Sequence, residues 1–509
     1  MSFSIGAYIY NAIKKGDVLK KQLTFKKTLL VFLFIITSSV QTIIHAKILW
    51  VNHPDTTQNN CDLSLDSYCT IQSAVDAASN RDTIKISSGR FSEKITINKH
   101  LTLLGNGYEE TIIDAGNTGS VITISPGSKV TIKTLAAVNG RAINGGGVFN
   151  NGSLMLINVH IKNNVAQQSG GGIFNAKTAS GSLFISKCEI VKNKSLGDDQ
   201  YNMKYGGGGI YNNSPLVINK TTISDNYATD NGGGIYSIYS GRKAPSSSEL
   251  IAEEIGLSAP AKRKGTLFRK TDIGSVSIQK SHITNNISGS GGGISLQGVM
   301  NINRSSITNN SATSHNRGSG GGIFAHLDTT LHINNTTISK NKANFRGGGI
   351  RFYTSRVGSL NNVTIIENMI MEKFGQGAGL YLENFSKKLN VQNTVIANNT
   401  IMSEIDSDCY GKITSLGFNL IGINHRCNWL ENTGDIIDQT KKIDPELYWS
   451  TKEERYFITD SSPLIDAGSP NGCRNEKSEI LKVDQLGNLR ALTRCDIGAV
   501  EFTKNHSDN

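Results

Sequence analysis

The sequence predicts an all-β solenoid: short strands wound into coils that stack on one another. Three observations carry that prediction. First, a glycine block followed by one aliphatic residue recurs. It stands before Val148, Ile173, Ile210, Ile235, Ile294, Ile323 and Ile350, with a worn copy, Gly377-Ala378-Gly379, before Leu380. Second, the steps between these aliphatics are 25, 37, 25, 59, 29, 27 and 30 residues, the period of one supersecondary unit per repeat. Third, each repeat carries a segment ending I-x-x-N, fullest as Leu331-His332-Ile333-Asn334-Asn335-Thr336-Thr337-Ile338-Ser339-Lys340-Asn341. The glycines are read as scaffold, letting the backbone turn tightly and stack closely. No Lys-Ser/Thr follows them, so a phosphate loop is not indicated.

The chain opens on a leader. Lys26-Lys27 precede an uncharged apolar run from Thr28 to Val40, and Ile44-His45-Ala46 offers a small residue before Lys47. Residues 1–46 thus read as a signal peptide with a long basic n-region, and an uncleaved anchor is the competing reading. No later segment is long enough to cross a bilayer. Of the formal net charge of +11, the leader's six lysines and one aspartate account for +5. The remaining +6 is too mild and too dispersed to imply nucleic acid.

Residues 47–139 are expected to form an N-terminal cap and the first coils. Thr70 to Ala78 reads as a short helix, with Thr70 as N-cap and Ile71, Ala74, Val75 and Ala78 on one face. Alternating strands follow, including Thr83-Ile84-Lys85-Ile86 and Ile95-Thr96-Ile97. Residues 140–400 hold the glycine repeats, interrupted by an insertion at 237–272 with a capping-box pattern and a basic run, Lys262-Arg263-Lys264. That insertion is either a surface loop or a carrier of binding function. Alternation turns Val159, Cys188, Thr221, Ser281, Ser305, Thr336, Val363 and Thr394 inward as one layer. The closing asparagines Asn164, Asn193, Asn226, Asn286, Asn310, Asn341, Asn368 and Asn399 are expected to form a hydrogen-bonded ladder, and to supply the left-handed residue at each corner. Residues 401–502 read as a cap closing the last coil, and 503–509 as a tail.

Seven cysteines suit an exported protein. Cys61 with Cys69, Cys409 with Cys427, and Cys473 with Cys495 form three local pairs and are read as disulfides. Cys188 is left over and placed in the core. None shows paired C-x-x-C spacing, and neither a metal site nor a cofactor site is read.

These residues resemble a known group. The glycine block and I-x-x-N segment look like the right-handed parallel β-helix repeats of bacterial surface proteins, and are similar to the GGA-I and F-x-x-N repeats of chlamydial polymorphic membrane proteins. Cys69-Thr70-Ile71-Gln72-Ser73-Ala74-Val75-Asp76-Ala77-Ala78 resembles the leading cap of pectate-lyase-like chains. Ser462-Pro463-Leu464-Ile465-Asp466-Ala467-Gly468, the Asp484 to Arg490 segment and Cys495 to Glu501 resemble the choice-of-anchor terminal region of exported β-helix proteins. The resemblance implies a right-handed parallel β-helix of pectin-lyase-like fold, with a disulfide-bearing C-terminal cap, secreted or on the cell surface. The outer-membrane barrel of the chlamydial proteins is not seen before Asn509, so a complete autotransporter is not expected.

Two functional readings remain. An adhesin-like binding protein for a polysaccharide or a surface protein is preferred. The residue after each repeated aliphatic is Phe149, Phe174, Tyr211, Tyr236, Ser295, Phe324, Arg351 and Tyr381. If the aliphatic points inward, this series faces outward as an exposed aromatic stripe suited to sugars or a partner. The alternative is that the rings form an inward or covered stack. A polysaccharide lyase or glycoside hydrolase is the second reading, and needs clustered carboxylates. The candidates are Asp225, Asp230 and Glu367, scattered over different coils. Nothing resembles the Asn-x-Asp, Asp-Asp, Gly-His-Gly and Arg-x-Lys set of polygalacturonases.

Overall fold

The computed structural model describes residues 46–53, 67–177, 181–197, 205–238, 276–314, 318–383, 388–402, 408–438, 441–451 and 455–503. The chain divides into Met1–Ala46 and Lys47–Asn509. The leader, Cys61 and almost all of the 237–272 insertion lie outside the described residues. The second unit is a right-handed parallel β-helix. Nearly every described strand pairs in parallel with the equivalent strand one coil away, as Val148–Asn150 does with Ile173–Asn175 and that with Ile210–Asn212. Each coil presents a face after the glycine block, a longer bent face through the I-x-x-N segment, and a short strand after the asparagine. Inside runs one continuous aliphatic core from Leu49 to Trp429.

The N-terminal coil is closed by helix α1, Ile71–Ala77. Thr70 caps it, accepting from the Ser73 amide, and Ile71, Ala74 and Val75 are buried. The Glu93 carboxylate accepts the amides of Ile71 and Gln72 at 2.8 and 2.9 Å, satisfying two of the donors that a helix start leaves open. Cys69 is disulfide-bonded.

The glycine block and the asparagine ladder form one device. At Gly320-Gly321-Gly322 the first glycine has φ of +65°. A Cβ on the second would lie 2.4 Å from the carbonyl oxygens of Gly348 and Lys342, and one on the third 3.1 Å from Asn341 Nδ2. Each asparagine side chain therefore fills the space that the third glycine leaves. Asn310 donates through Nδ2 to Asn341 Oδ1 at 3.0 Å and to the Ile283 carbonyl at 2.8 Å. Its own Oδ1 accepts both the backbone amide and Nδ2 of Asn286. The same pattern runs from Asn164 to Asn399, buried throughout. The left-handed residue at this corner is one position earlier than the sequence suggested. Asn163, Lys192, Asp225, Asn285, Asn309, Lys340, Glu367 and Asn398 have positive φ. The ladder amides are thereby free to keep ordinary backbone geometry.

The inward layer is a second ladder. Thr221, Ser281, Ser305 and Thr336 each donate a hydroxyl to the carbonyl two residues back and accept an amide from the preceding coil, for instance Ser281 N to Ser305 Oγ at 3.2 Å. Cys188 is a thiol rung of that ladder: it is buried, donates to the Ser186 carbonyl and accepts the Val159 amide. Small polar residues can sit beside an aliphatic core because each of these hydroxyls has a partner.

The C-terminal region does more than close the last coil. Cys409–Cys427 and Cys473–Cys495 are disulfides, with Cα–Cα distances of 5.2 and 5.9 Å. The final segment then doubles back along a corner of the body as a strap. Ser469 donates its amide to Asn393 Oδ1, Asn362 Nδ2 donates to the Gly498 carbonyl, and Arg490 donates to Asn335 Oδ1. Gln485 reaches Thr337 and the Ser305 carbonyl. Inside the strap, Arg490 pairs with Glu501, and Asp484 accepts amides of Gly487, Asn488 and Glu501. The tail motifs are thus fastenings of the strap to itself and to the coils.

Candidate functional site

The strands after the glycine blocks set the series Phe149, Phe174, Tyr211, Tyr236, Ser295, Phe324, Arg351, Tyr381 and Tyr410 in strict register, one rung per coil. Their aliphatic neighbours fill the core, so the rungs do stand on the outer side of the face. They are nevertheless not an open stripe. Phe149 and Phe174 stack at 5.3 Å, Phe174 and Tyr211 at 4.7 Å, and Tyr381 and Tyr410 at 5.0 Å, nearly parallel. Tyr211 and Tyr236 meet edge-on at 5.7 Å. Rings placed one strand spacing apart cover each other's faces. Tyr236, Phe324 and Tyr381 are only 3–4% exposed. A sugar cannot lie on a ring face that already carries another ring. Burial accordingly raises the Tyr211 hydroxyl to about 12.

The ladder lacks a ring at Ser295, and the next coil fills the gap. His326, two residues beyond Phe324, leans over that ring at 3.8 Å and bonds Ser295 Oγ through Nε2 at 2.7 Å. Burial holds His326 down to about 3, and the charge of Arg351 acts in the same direction, so the imidazole is neutral. A buried serine–histidine contact of this kind is packing.

The following rungs differ. Arg351 replaces a ring between Phe324 and Tyr381, its guanidinium 4.8 Å from the Phe324 ring and 5.2 Å from that of Tyr353. Arg346, from the corner before it, lies 5.0 Å from the Tyr381 ring. Both guanidiniums converge on Glu383, at 3.4 Å from Arg346 and 3.3 Å from Arg351, and the Tyr381 hydroxyl donates to the same carboxylate at 3.3 Å. Two cations therefore share one anion on a half-buried surface, with side-chain exposures of 26%, 15% and 17% for Arg346, Arg351 and Glu383. Among the described residues, the Nε–H of each arginine is buried without an acceptor. Burial lowers the pKa of Arg351, opposed by Glu383 and reinforced by Arg346. The arrangement can take up one more oxyanion, through charge-assisted bonds to planar donors flanked by aromatic rings.

The expected carboxylates do not meet. Asp225 and Glu367 occupy the same exposed corner, with φ of 55° and 53°, four coils apart. At about 4.8 Å per coil that is roughly 19 Å. Asp230 lies off that corner, within electrostatic reach of Tyr236. Among the described residues no group of three His, Cys, Asp or Glu could hold a metal ion, and no helix is long and apolar enough to cross a membrane. The sequence reading found Arg351 and Tyr381 by periodicity but missed Arg346 and Glu383. Glu383 follows Tyr381 at the same-face spacing of two, and that alternation was the available signal.

A model of the Chlamydia polymorphic membrane protein repeat matches residues 220–238, which hold one I-x-x-N segment and one glycine block. A search of curated proteins found no match. Among solved structures, pectate lyase Pel9A is similar at 12% identity with a TM-score of 0.46, covering 90% of this chain and 98% of that one. The pectin methylesterase of Aspergillus niger is similar at 14% identity and a TM-score of 0.33, over 57% of this chain and 85% of that one. PemA of Erwinia chrysanthemi is similar at 16% identity and a TM-score of 0.25, over 56% and 79%. The chain is a right-handed parallel β-helix whose repeats are similar to those of the chlamydial polymorphic membrane proteins.

Proposed function

We propose that this protein is an exported surface β-helix that binds a glycan bearing an acidic group, at the Arg346–Arg351–Glu383 cluster. The observation that carries this reading is the pair of arginines sharing a single carboxylate, each with an Nε–H left over. An arginine pair this deep between rings costs desolvation unless an anion completes it. The two disulfides and the repeat match support a location outside the cytoplasm. Asp225 and Glu367 lie four coils apart, and the carboxylates that do meet, Asp484, Asp496 and Glu501, are taken up in fastening the strap, which favours the binding reading over the catalytic one.

The test is an array of short acidic and neutral oligosaccharides, read together with a reducing-sugar and unsaturated-product assay on the same compounds. Binding of acidic members without turnover is expected, with at least a tenfold loss for Arg351→Ala and for Arg346→Ala. Equal binding of neutral oligosaccharides by wild type and Arg351→Ala would overturn the assignment. Turnover would replace it with the enzyme reading.

A further inference from the structure

The bent face turns at a second corner, occupied in successive coils by Asn158, Lys187, Lys220, Lys280, Arg304, Asn335, Asn362 and Asn393, all with positive φ. The three C-terminal asparagines lie under the strap and bond to it. Arg304 meets the strap's edge, donating from Nε to the Gln485 carbonyl. Where the strap ends, the rung changes from amide to cation. Lysines scattered at positions 187, 220 and 280 in the sequence become neighbours, because Ser186 pairs with Asn219, Asn219 with Gln279, and Gln279 with Asn303.

We infer that Lys187, Lys220, Lys280 and Arg304 form a binding track for a linear anionic polysaccharide. The four cations span three coil steps, roughly 14 Å at about 4.8 Å per coil. The three lysines are exposed, and none forms an ion pair among the described residues. Two acids on this side are engaged elsewhere: Glu189 faces His160 at 3.5 Å, and Asp484, whose charge acts on Arg304, holds strap amides. The like charges repel one another. Lys280 is lowered first by burial and then by the charges of Arg304 and Lys220. A rigid row of point charges suits a chain that repeats one acidic group per sugar. Half-buried Asn219, Gln279 and Asn303 alongside offer amides to hydroxyls. Nucleic acid is disfavoured because, among the described residues, no exposed aromatic residue interleaves the row to stack single-stranded bases, and because disulfides mark an oxidising compartment.

The track is separate from the arginine cluster, and its test is separate too. The triple variant Lys187→Asn, Lys220→Asn, Lys280→Asn places on each rung the residue that Asn335, Asn362 and Asn393 already supply, so the left-handed backbone is kept. Binding is measured to heparin, to polygalacturonate, to their short fragments and to duplex DNA, over a range of salt concentrations. Wild type should bind one or both long polymers, and the triple variant should lose at least tenfold in affinity. The salt slope should fall by roughly one unit per lysine removed. Sulfated and carboxylated polymers distinguish which acidic group is preferred. Arg351→Ala should alter binding of short fragments only, so failure of one site does not mimic failure of the other. Unchanged polymer affinity and slope in a triple variant with wild-type thermal stability would overturn the track. So would duplex DNA binding more tightly than both polymers, or fragments of one or two sugars binding the lysine row as tightly as long chains.

Discussion

Asn399 donates both its backbone amide and its side-chain Nδ2 to a single oxygen of Asp408, each at 2.8 Å. The other carboxylate oxygen accepts the Ile423 amide at 2.7 Å. Asp408 thus stands where a further ladder asparagine would stand, and accepts without donating onward. The second ladder stops in the same way. Thr394 passes to Asn419, which donates its amide and Nδ2 to Asp435 Oδ1 at 2.9 and 3.0 Å. Asp435 Oδ2 accepts from Asn432 and from the Trp429 indole.

Burial raises the Asp408 carboxyl to about 7, against the amide bonds that oppose it. In the unfolded chain an aspartate titrates near about 3.9. Between these values the native state holds a proton that the unfolded state has released. The stability that Asp408 contributes is therefore greatest below about pH 4, falls as pH rises through that window, and levels off above about 7. Urea midpoints from pH 4 to 8 should show the decline. Asp408→Asn should flatten part of the slope and lower stability, because its Oδ1 can keep the two Asn399 bonds but its Nδ2 would face the Ile423 amide. Burial also raises Asp496 and Glu501, which add to the slope in the same direction.

Asn310→Ala should cost about 2–4 kcal/mol, more than its size suggests, because four buried groups lose a partner: the amide and Nδ2 of Asn286, the Ile283 carbonyl and Asn341 Oδ1. The measurement is the urea midpoint, with hydrogen exchange at Asn286 and Asn341 to show that the damage is local to adjacent coils.

Gly321→Ala should be among the most damaging substitutions in the chain, costing about 3 kcal/mol or more, since the new methyl would press on two backbone carbonyls that cannot swing away. Gly127→Ala is the contrast. Its φ is +78°, but nothing lies within 4 Å of the added carbon. Only the conformational cost of about 1–2 kcal/mol is expected there, and paired thermal melts decide between the two.

Arg490→Met should release the strap. Arg490 is buried, and donates to Glu501, Asn335 and the Gly498 and Ala499 carbonyls. Breaking one side of a buried pair costs about 3–5 kcal/mol. Limited proteolysis should cut between residues 464 and 501 in the variant and not in wild type. Adding Glu501→Leu should recover part of the loss.

Much of this architecture was legible in the sequence because a solenoid writes its contacts at a fixed period. The I-x-x-N spacing gave the ladder, and alternation placed Cys188 inward. Three features could not be read so directly. The outward direction of Phe149, Phe174 and Tyr211 followed from alternation, but not that rings one strand spacing apart would cover each other. The cations at 187, 220 and 280 looked dispersed because irregular insertions separate them along the chain. Only the pairing of coils makes them adjacent. Glu383 escaped notice for a related reason: its partner Arg346 comes from the preceding coil.

The strap also sets an order of assembly. Coils near the N-terminus are completed by neighbours only about 25–37 residues further on, so they can stack as the chain is made. The coils at Asn335 and Asn362 have partners 134 to 155 residues downstream, in the final segment. Their corner amides must stay in water until that segment arrives. Synthesis ends at the C-terminus, but the last contacts to form are on the flank of coils made much earlier, and a chain truncated before residue 469 would leave those coils wound yet unsealed.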